Sequence, residues 1–207
     1  TDVHIGSRSS AFLERVMTKV NKLNVDFLCI TGDFIDAPGI DEEQLSALRN
    51  CPVPIYFTIG NHERYEDLEE ILQRLKRLGV EILRSRTLNH GEVQLVGIDD
   101  NDHPGQVKRE LATLSIEQEQ FVLLLYHRPY GLSDAAAAGV DLMISGHTHN
   151  GQIIPFNLVV KRVFSKIVGL FTEGSTQLYV SPGTGTWGPV MRLGSTGEVT
   201  LFEVLPQ

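Results

Sequence analysis

The residues of this chain that could do chemistry fall in five short clusters: Asp2-Val3-His4, Gly32-Asp33, Gly60-Asn61-His62-Glu63, Tyr126-His127 and Gly146-His147-Thr148-His149. Carboxylate, imidazole and amide oxygen together suit a borderline or hard divalent cation such as manganese, iron or zinc. The clusters contain no cysteine, which excludes a thiolate-bound structural zinc. Asp2, His4, Asp33, Asn61, His127, His147 and His149 are too many ligands for one tetrahedral ion. They suit two ions that share a bridging carboxylate. Two ions about 3.5–4 Å apart can clamp the attacking and leaving oxygens of an in-line displacement at phosphorus.

Such a cluster set needs elements that gather it. Four of the five follow apolar runs, at residues 25–31, 53–59, 121–126 and 140–145, each with the length and β-branched or aromatic content of a buried strand. In a parallel open sheet the carboxyl ends of the strands share one edge, so residues scattered from 2 to 149 would meet there. Asp2 and His4 are two apart, as are His147 and His149, and extended backbone would send each pair to one face. Gly32 and Gly60 permit sharp turns at the strand exits. Amphipathic patterns predict helices over 10–23, 41–50, 65–78 and 106–114, with a short one over 133–138 capped by Ser133 or Asp134. Asp41 and Gln44 form a capping-box-like pair, and Gly79 stops the third helix. Strands are expected at 80–83 and 93–98, and an antiparallel meander of 178–180, 190–193 and 199–204 closes the fold. One mixed α/β domain over 1–207 is the reading.

The ordered clusters resemble the calcineurin-like metallophosphoesterase family, whose DxH, GDxxD, GNHE, lone His and GHxH motifs correspond to Asp2/His4, Gly32-Asp33/Asp36, 60–63, His127 and 146–149. The resemblance implies a four-layer α/β/β/α sandwich with mixed sheets and two divalent ions, manganese first and iron or zinc as alternatives. It assigns Asp2, His4, Asp33 and His149 to one ion and Asp33, Asn61, His127 and His147 to the other. His62 becomes the catalytic residue beside the metals, protonating the leaving oxygen or stabilising phosphoryl charge. Glu63 and Asp36 become partners that orient ligands or His62. The implied nucleophile is a water or hydroxide held by the ions, cleaving a phosphodiester or pyrophosphate bond.

The residues at 146–152 and 178–189 are similar to a bacterial subgroup of integral or peripheral membrane members, of the YkuE and YaeI types. That similarity implies a membrane-associated protein, with a cytoplasmic one as the alternative. The substrate is then a phosphorylated small molecule or a lipid-linked one. Relatives carry Gly where this chain has Asn150, a residue that tolerates left-handed backbone.

Composition narrows the partners. The formal charge is −8 with a pI near 5.3, which argues against duplex nucleic acid. Bound cations would reverse that sign locally. Cys29 reads as a buried free thiol. His90 and His103 read as loop residues, and Asp99 to Asp102 as a solvated turn at the pocket rim. Asp2 stands where a strand should just have ended, which predicts residues upstream of Thr1, a membrane anchor being one form they could take. Residues 155–171 read either as an interfacial helix, with Lys161, Arg162 and Lys166 on one arc, or as a loop and helix over the site mouth. The alternatives to an enzyme of this type are a non-catalytic scaffold and a nuclease of the same fold. Oligomeric state is not legible.

Overall fold

The computed structural model describes residues 1–205, which form two sheets. The first is parallel, with β1 (Leu28–Thr31), β2 (Ile55–Thr58) and β3 (Val80–Ile82) in that order. The second contains β4 (Arg86–His90), β5 (Val93–Gly97), β6 (Phe121–Leu125), β7 (Leu142–Ser145), β8 (Gly169–Glu173) and β9 (Thr176–Val180). Its order is β4-β5-β6-β7-β9-β8, parallel at the centre and antiparallel at both edges.

Alternation within the strands produces the layers. On β6, Leu123 and Leu125 face the first sheet and meet Tyr56 and Leu83. Val122 and Leu124 face outward, onto α3 (Gln106–Leu111) and α4 (Leu132–Ala137), where Val107, Leu111 and Ala135 cover them. On β2, Tyr56 points between the sheets while Ile55 and Phe57 face α1 (Ser10–Val20) and α2 (Leu68–Arg77). Strands buried on both faces read as unbroken apolar runs, which is why these strands were the visible ones. The result is the expected helix, sheet, sheet, helix sandwich. A cavity of about 1520 Å³ opens beside β1, bounded by α1, β6, β9 and residues 198–205; Val3 lines it, but none of the candidate ligands does.

Several local expectations are corrected. Helix α2 begins at Leu68 because the Asp67 carboxylate caps it, accepting from the Glu70 N–H. Asp41 and Gln44 do exchange backbone-to-side-chain hydrogen bonds, but only a 3-10 turn, Ser46–Asn50, follows them. Helix α4 starts from Gly131 in a left-handed conformation, not from Ser133 or Asp134. The closing meander does not form. Residues 178–180 belong to β9, whose antiparallel partner is β8, and 190–193 contribute one bridge, Leu193 with Ile153. Residues 199–204 join no ladder. The helix expected over 155–171 is only Phe156–Val163 (α5), since Phe164 is already extended and 169–173 is strand.

Candidate metal centre

The carboxyl ends of both sheets open on the same place. Asp33 follows β1, Asn61 to Glu63 follow β2, His127 follows β6, and His147 and His149 follow β7. Asp2 and His4 arrive alongside the β1 exit, with the Asp2 N–H donating to Gly32 O at 3.0 Å and the His4 N–H to Asp33 O at 3.1 Å. Three overlapping groups of side chains result, Asp2 with His4 and His149, Asp33 with His127 and His147, and between them His4 with Asp33 and His62. In the first, His149 Nε2 lies 3.0 Å from His4 Nε2 and 3.2 Å from Asp2 Oδ1. In the second, His127 Nε2 lies 3.1 Å from Asp33 Oδ2 and 3.1 Å from His147 Nδ1. Asp33 Oδ2 also faces the first group, 4.0 Å from His4 Nε2.

The backbone reaches this arrangement by a route the spacing did not predict. Asp2, His4, Asp33, His147 and His149 all have positive φ, between 50° and 72°. Left-handed backbone costs a non-glycine residue roughly 1 kcal/mol or more, and such residues gather where function fixes them. The pairs two apart are therefore not on extended chain, and His147 and His149 diverge into different groups instead of sharing a face. Asn150 is left-handed too, at φ 50° and ψ 33°, as its stand-in for glycine required. Gly60 serves by closeness rather than by turning: a Cβ there would collide with Asp33 Oδ1.

Fixed partners hold the ring nitrogens outward. The Nδ1–H of His127 donates to Thr31 O at 2.9 Å, which leaves Nε2 free toward Asp33. His4 Nδ1 lies 3.2 Å from Asp36 Oδ2, an electrostatic contact outside hydrogen-bond geometry, and Asp36 is itself held by the Ser7 N–H and hydroxyl. Such outer partners set tautomer and ring direction. Glu63 does something larger than orient one group. Its buried carboxylate accepts from the backbone N–H groups of Asp33, Phe34, Ile35 and Gly60, tying the β1 exit to the β2 exit.

Charge follows the same geometry. Burial works to raise the Asp2 and Asp33 carboxyls, but His149 and His127 respectively outweigh it and hold both well below the usual range. Burial opposes charge on His127, yet Asp33 lifts its pKa to about 10. Burial and then the positive His127 push His147 down to about 3. Burial and the charge of Asp33 raise Glu63 to about 7.

The donor set fits divalent cations. Two ligand atoms about 2.1 Å from one ion and at right angles stand about 3.0 Å apart, close to the imidazole and carboxylate spacings here. Asn61 supplies an independent sign, because its buried Oδ1 has no hydrogen-bond partner. A buried acceptor left unpaired costs about 1–3 kcal/mol, and an ion removes that cost. A family model described as calcineurin-like phosphoesterase matches residues 1–151. The chain belongs to that family.

Similar proteins agree. An uncharacterized metallophosphoesterase of Campylobacter jejuni is 34% identical over 219 residues, covering 99% of this chain and 57% of the relative. A zebrafish (Danio rerio) transmembrane protein with metallophosphoesterase domain is 32% identical over 230 residues, covering 97% of this chain and 51% of its own length. This phosphoesterase chain thus spans little more than half of either relative. Among solved structures, the NAD nucleotidase of Haemophilus influenzae superposes with a TM-score of 0.51 at 14% identity, covering 84% of this chain and 39% of that one. That likeness shows the fold. Family membership supports metal-dependent phosphoester hydrolysis, and the His and Asp groups offer places for divalent ions.

Other residues at the centre of this phosphoesterase were not anticipated. Asp100, expected in a solvated turn, is buried and ion-paired, with Arg128 Nε at 2.6 Å and Arg64 at 2.8 Å. Arg192 donates to the carbonyls of His149, Pro182 and Gly185, bracing the loop beside His149. Phe164 packs edge-on against His147 at 5.2 Å. His90 closes β4 and hydrogen-bonds the Tyr56 hydroxyl at 2.9 Å, so it is no loop residue. Burial pushes the free Cys29 thiol up to about 12.

Proposed function

We propose that this phosphoesterase hydrolyses a phosphodiester or pyrophosphate bond with two divalent cations, manganese by preference, on a phosphorylated small molecule or a lipid-linked substrate. Asp33 would be shared by the two ions. Asp2, His4 and His149 would hold one of them with it, and Asn61, His127 and His147 the other. The observation that carries the reading is the Asp33 carboxylate, which stands against both groups while the unpaired Asn61 oxygen is buried beside it. When bound, the cations polarise phosphoryl oxygens and lower the pKa of water.

The chain's own groups do the rest. His62 stands with His4 and Asp33 between the two sites, on the side that faces the same space. Its Nε2 lies 3.9 Å from Asp33 Oδ2, and its N–H donates to Asp33 Oδ1 at 2.9 Å. The side chain keeps a partly open edge, and burial lowers its pKa despite Asp33. An imidazole at this place can pass a proton to a departing oxygen, the part of a general acid. Tyr65 and Trp187 flank His62, with ring centroids at 5.6 and 6.4 Å. The acidic net charge still argues against nucleic acid as substrate.

Asp33→Ala tests the reading. With bis-p-nitrophenyl phosphate and added manganese, wild type turns over and binds two metal ions per chain. The variant loses turnover and both ions. Full metal content in the variant would reject the bridge, and no turnover by wild type across diesters and pyrophosphates would reject the activity.

A further inference from the structure

The chain carries 26 acidic residues, yet residues 142–197 contain a single one, Glu173, against Lys161, Arg162, Lys166 and Arg192. In the fold this acid-poor stretch is one rim of the metal centre. It begins at His147 and His149 and continues into α5, none of whose residues is buried. Phe156, Leu158, Val159 and Val163 on α5, with Val190 and Met191 on the facing loop, are each more than half exposed. Trp187, between them and His62, is 53% exposed.

These pieces are contiguous. The Ile154 N–H donates to Leu193 O at 3.0 Å, and the Gln152 amide bonds Trp187 and Pro189, so α5 and the 187–193 loop share a base. Phe164, just past α5, stacks on Tyr130 and meets His147. Exposed apolar surface on this scale marks an interaction site. Its apolar side chains, interleaved cations and interfacial Trp match an amphipathic element lying in a headgroup layer.

We infer that α5 and the 187–193 loop dock this protein on an anionic bilayer surface, with the metal centre facing the headgroups. Charge complementarity selects this occupant. The rest of the molecule is strongly acidic and is repelled by such a surface, so the acid-poor rim is the face that can approach it. A second copy is disfavoured, because a two-fold pairing of this face brings together two sets of cations with no acidic residue on α5 or the 187–193 loop to offset them. None of the described helices is long and apolar enough to cross a membrane. Docking does not depend on the phosphoesterase reading; only the identity of what the bilayer presents, a phosphorylated lipid headgroup, rests on it.

Co-sedimentation with phosphatidylcholine vesicles, with and without phosphatidylserine, tests the inference, and hydrolysis of bis-p-nitrophenyl phosphate is measured alongside. Wild type pellets with the anionic vesicles and much less with the neutral ones. Lys161→Gln/Arg162→Gln/Lys166→Gln lowers the partition coefficient by about a hundredfold. Leu158→Ser/Val159→Ser/Val163→Ser, which removes only exposed side chains, also releases the protein. Both variants keep hydrolysis of the soluble diester. Absence of wild-type pelleting, or pelleting indifferent to lipid charge and to both variants, overturns the inference. So does a concentration-dependent dimer that the serine variant abolishes, since it gives the face to a second copy. Vesicle binding without diester hydrolysis leaves docking intact and rejects the catalytic reading.

Discussion

The centre is assembled from individually unfavourable residues. Five candidate ligands adopt left-handed backbone, and an amide oxygen is buried without a partner. His62 is different, since it is in an ordinary helical conformation and makes no comparable sacrifice. Asn61 and His127 share that ordinary backbone, so the part proposed for His62 rests on its place between the two outer groups. His62→Ala should therefore leave metal content unchanged while turnover falls by about 10²–10⁴, the usual loss for a general acid. Parallel metal analysis and steady-state kinetics check this, and unchanged turnover would remove His62 from the chemistry. At this scale the sequence was informative: residue types and order named every member of the two groups. The family resemblance put His147 and His149 on different ions, whereas their spacing alone put them on one face, because backbone sign at a strand exit depends on what the exit packs against.

Among the elements, the exits of β2, β5 and β6 are joined by charge. Arg64 follows β2, Arg128 follows β6, and Asp100, beyond β5, accepts from both within the interior. Burial works to raise the Asp100 carboxyl, but Arg128, then His127 and Arg64, hold it below the ordinary value. A depressed folded pKa means the stabilisation is full above the unfolded value of about 3.9 and is lost as pH falls through the folded one. Asp100→Asn should accordingly cost about 3 kcal/mol at pH 7, as breaking a buried pair does. The gap to wild type should narrow as pH falls below about 4, and urea midpoints at both pH values measure it. A constant gap would show that the carboxylate's charge is not what matters. The sequence offered only an acidic turn here. Nothing local distinguishes a solvated carboxylate from one that two distant arginines reach.

Across the whole molecule, stability and the centre are coupled. Two sheets present their carboxyl ends to one point, so repulsion or strain there acts on both sheets together. A ligand that binds only the folded state stabilises it by RT ln(1 + [L]/Kd), about 2.7 kcal/mol at one hundred times Kd. Chelation should lower the melting temperature of this phosphoesterase, and manganese should restore it. Asp33→Ala should abolish the manganese response. An unchanged melting curve after verified metal removal would separate the centre from the fold.

Buried strands were written into the sequence because a strand covered on both faces must be apolar throughout, and the motif residues that end such strands were readable with them. Edge and closing elements were not. β4 and β8 are half-exposed and carry no such run, while 190–193 and 199–204 have strand-like composition and form no sheet. Composition sets what a segment can bury, whereas pairing needs a partner edge that only the assembled chain supplies. For the same reason the sequence determined which groups would gather at the strand ends. Tertiary structure decided which group meets which: the Glu63 carboxylate across four backbone N–H groups, Arg192 behind His149, and Asp100 between two arginines are contacts between residues that no local pattern relates.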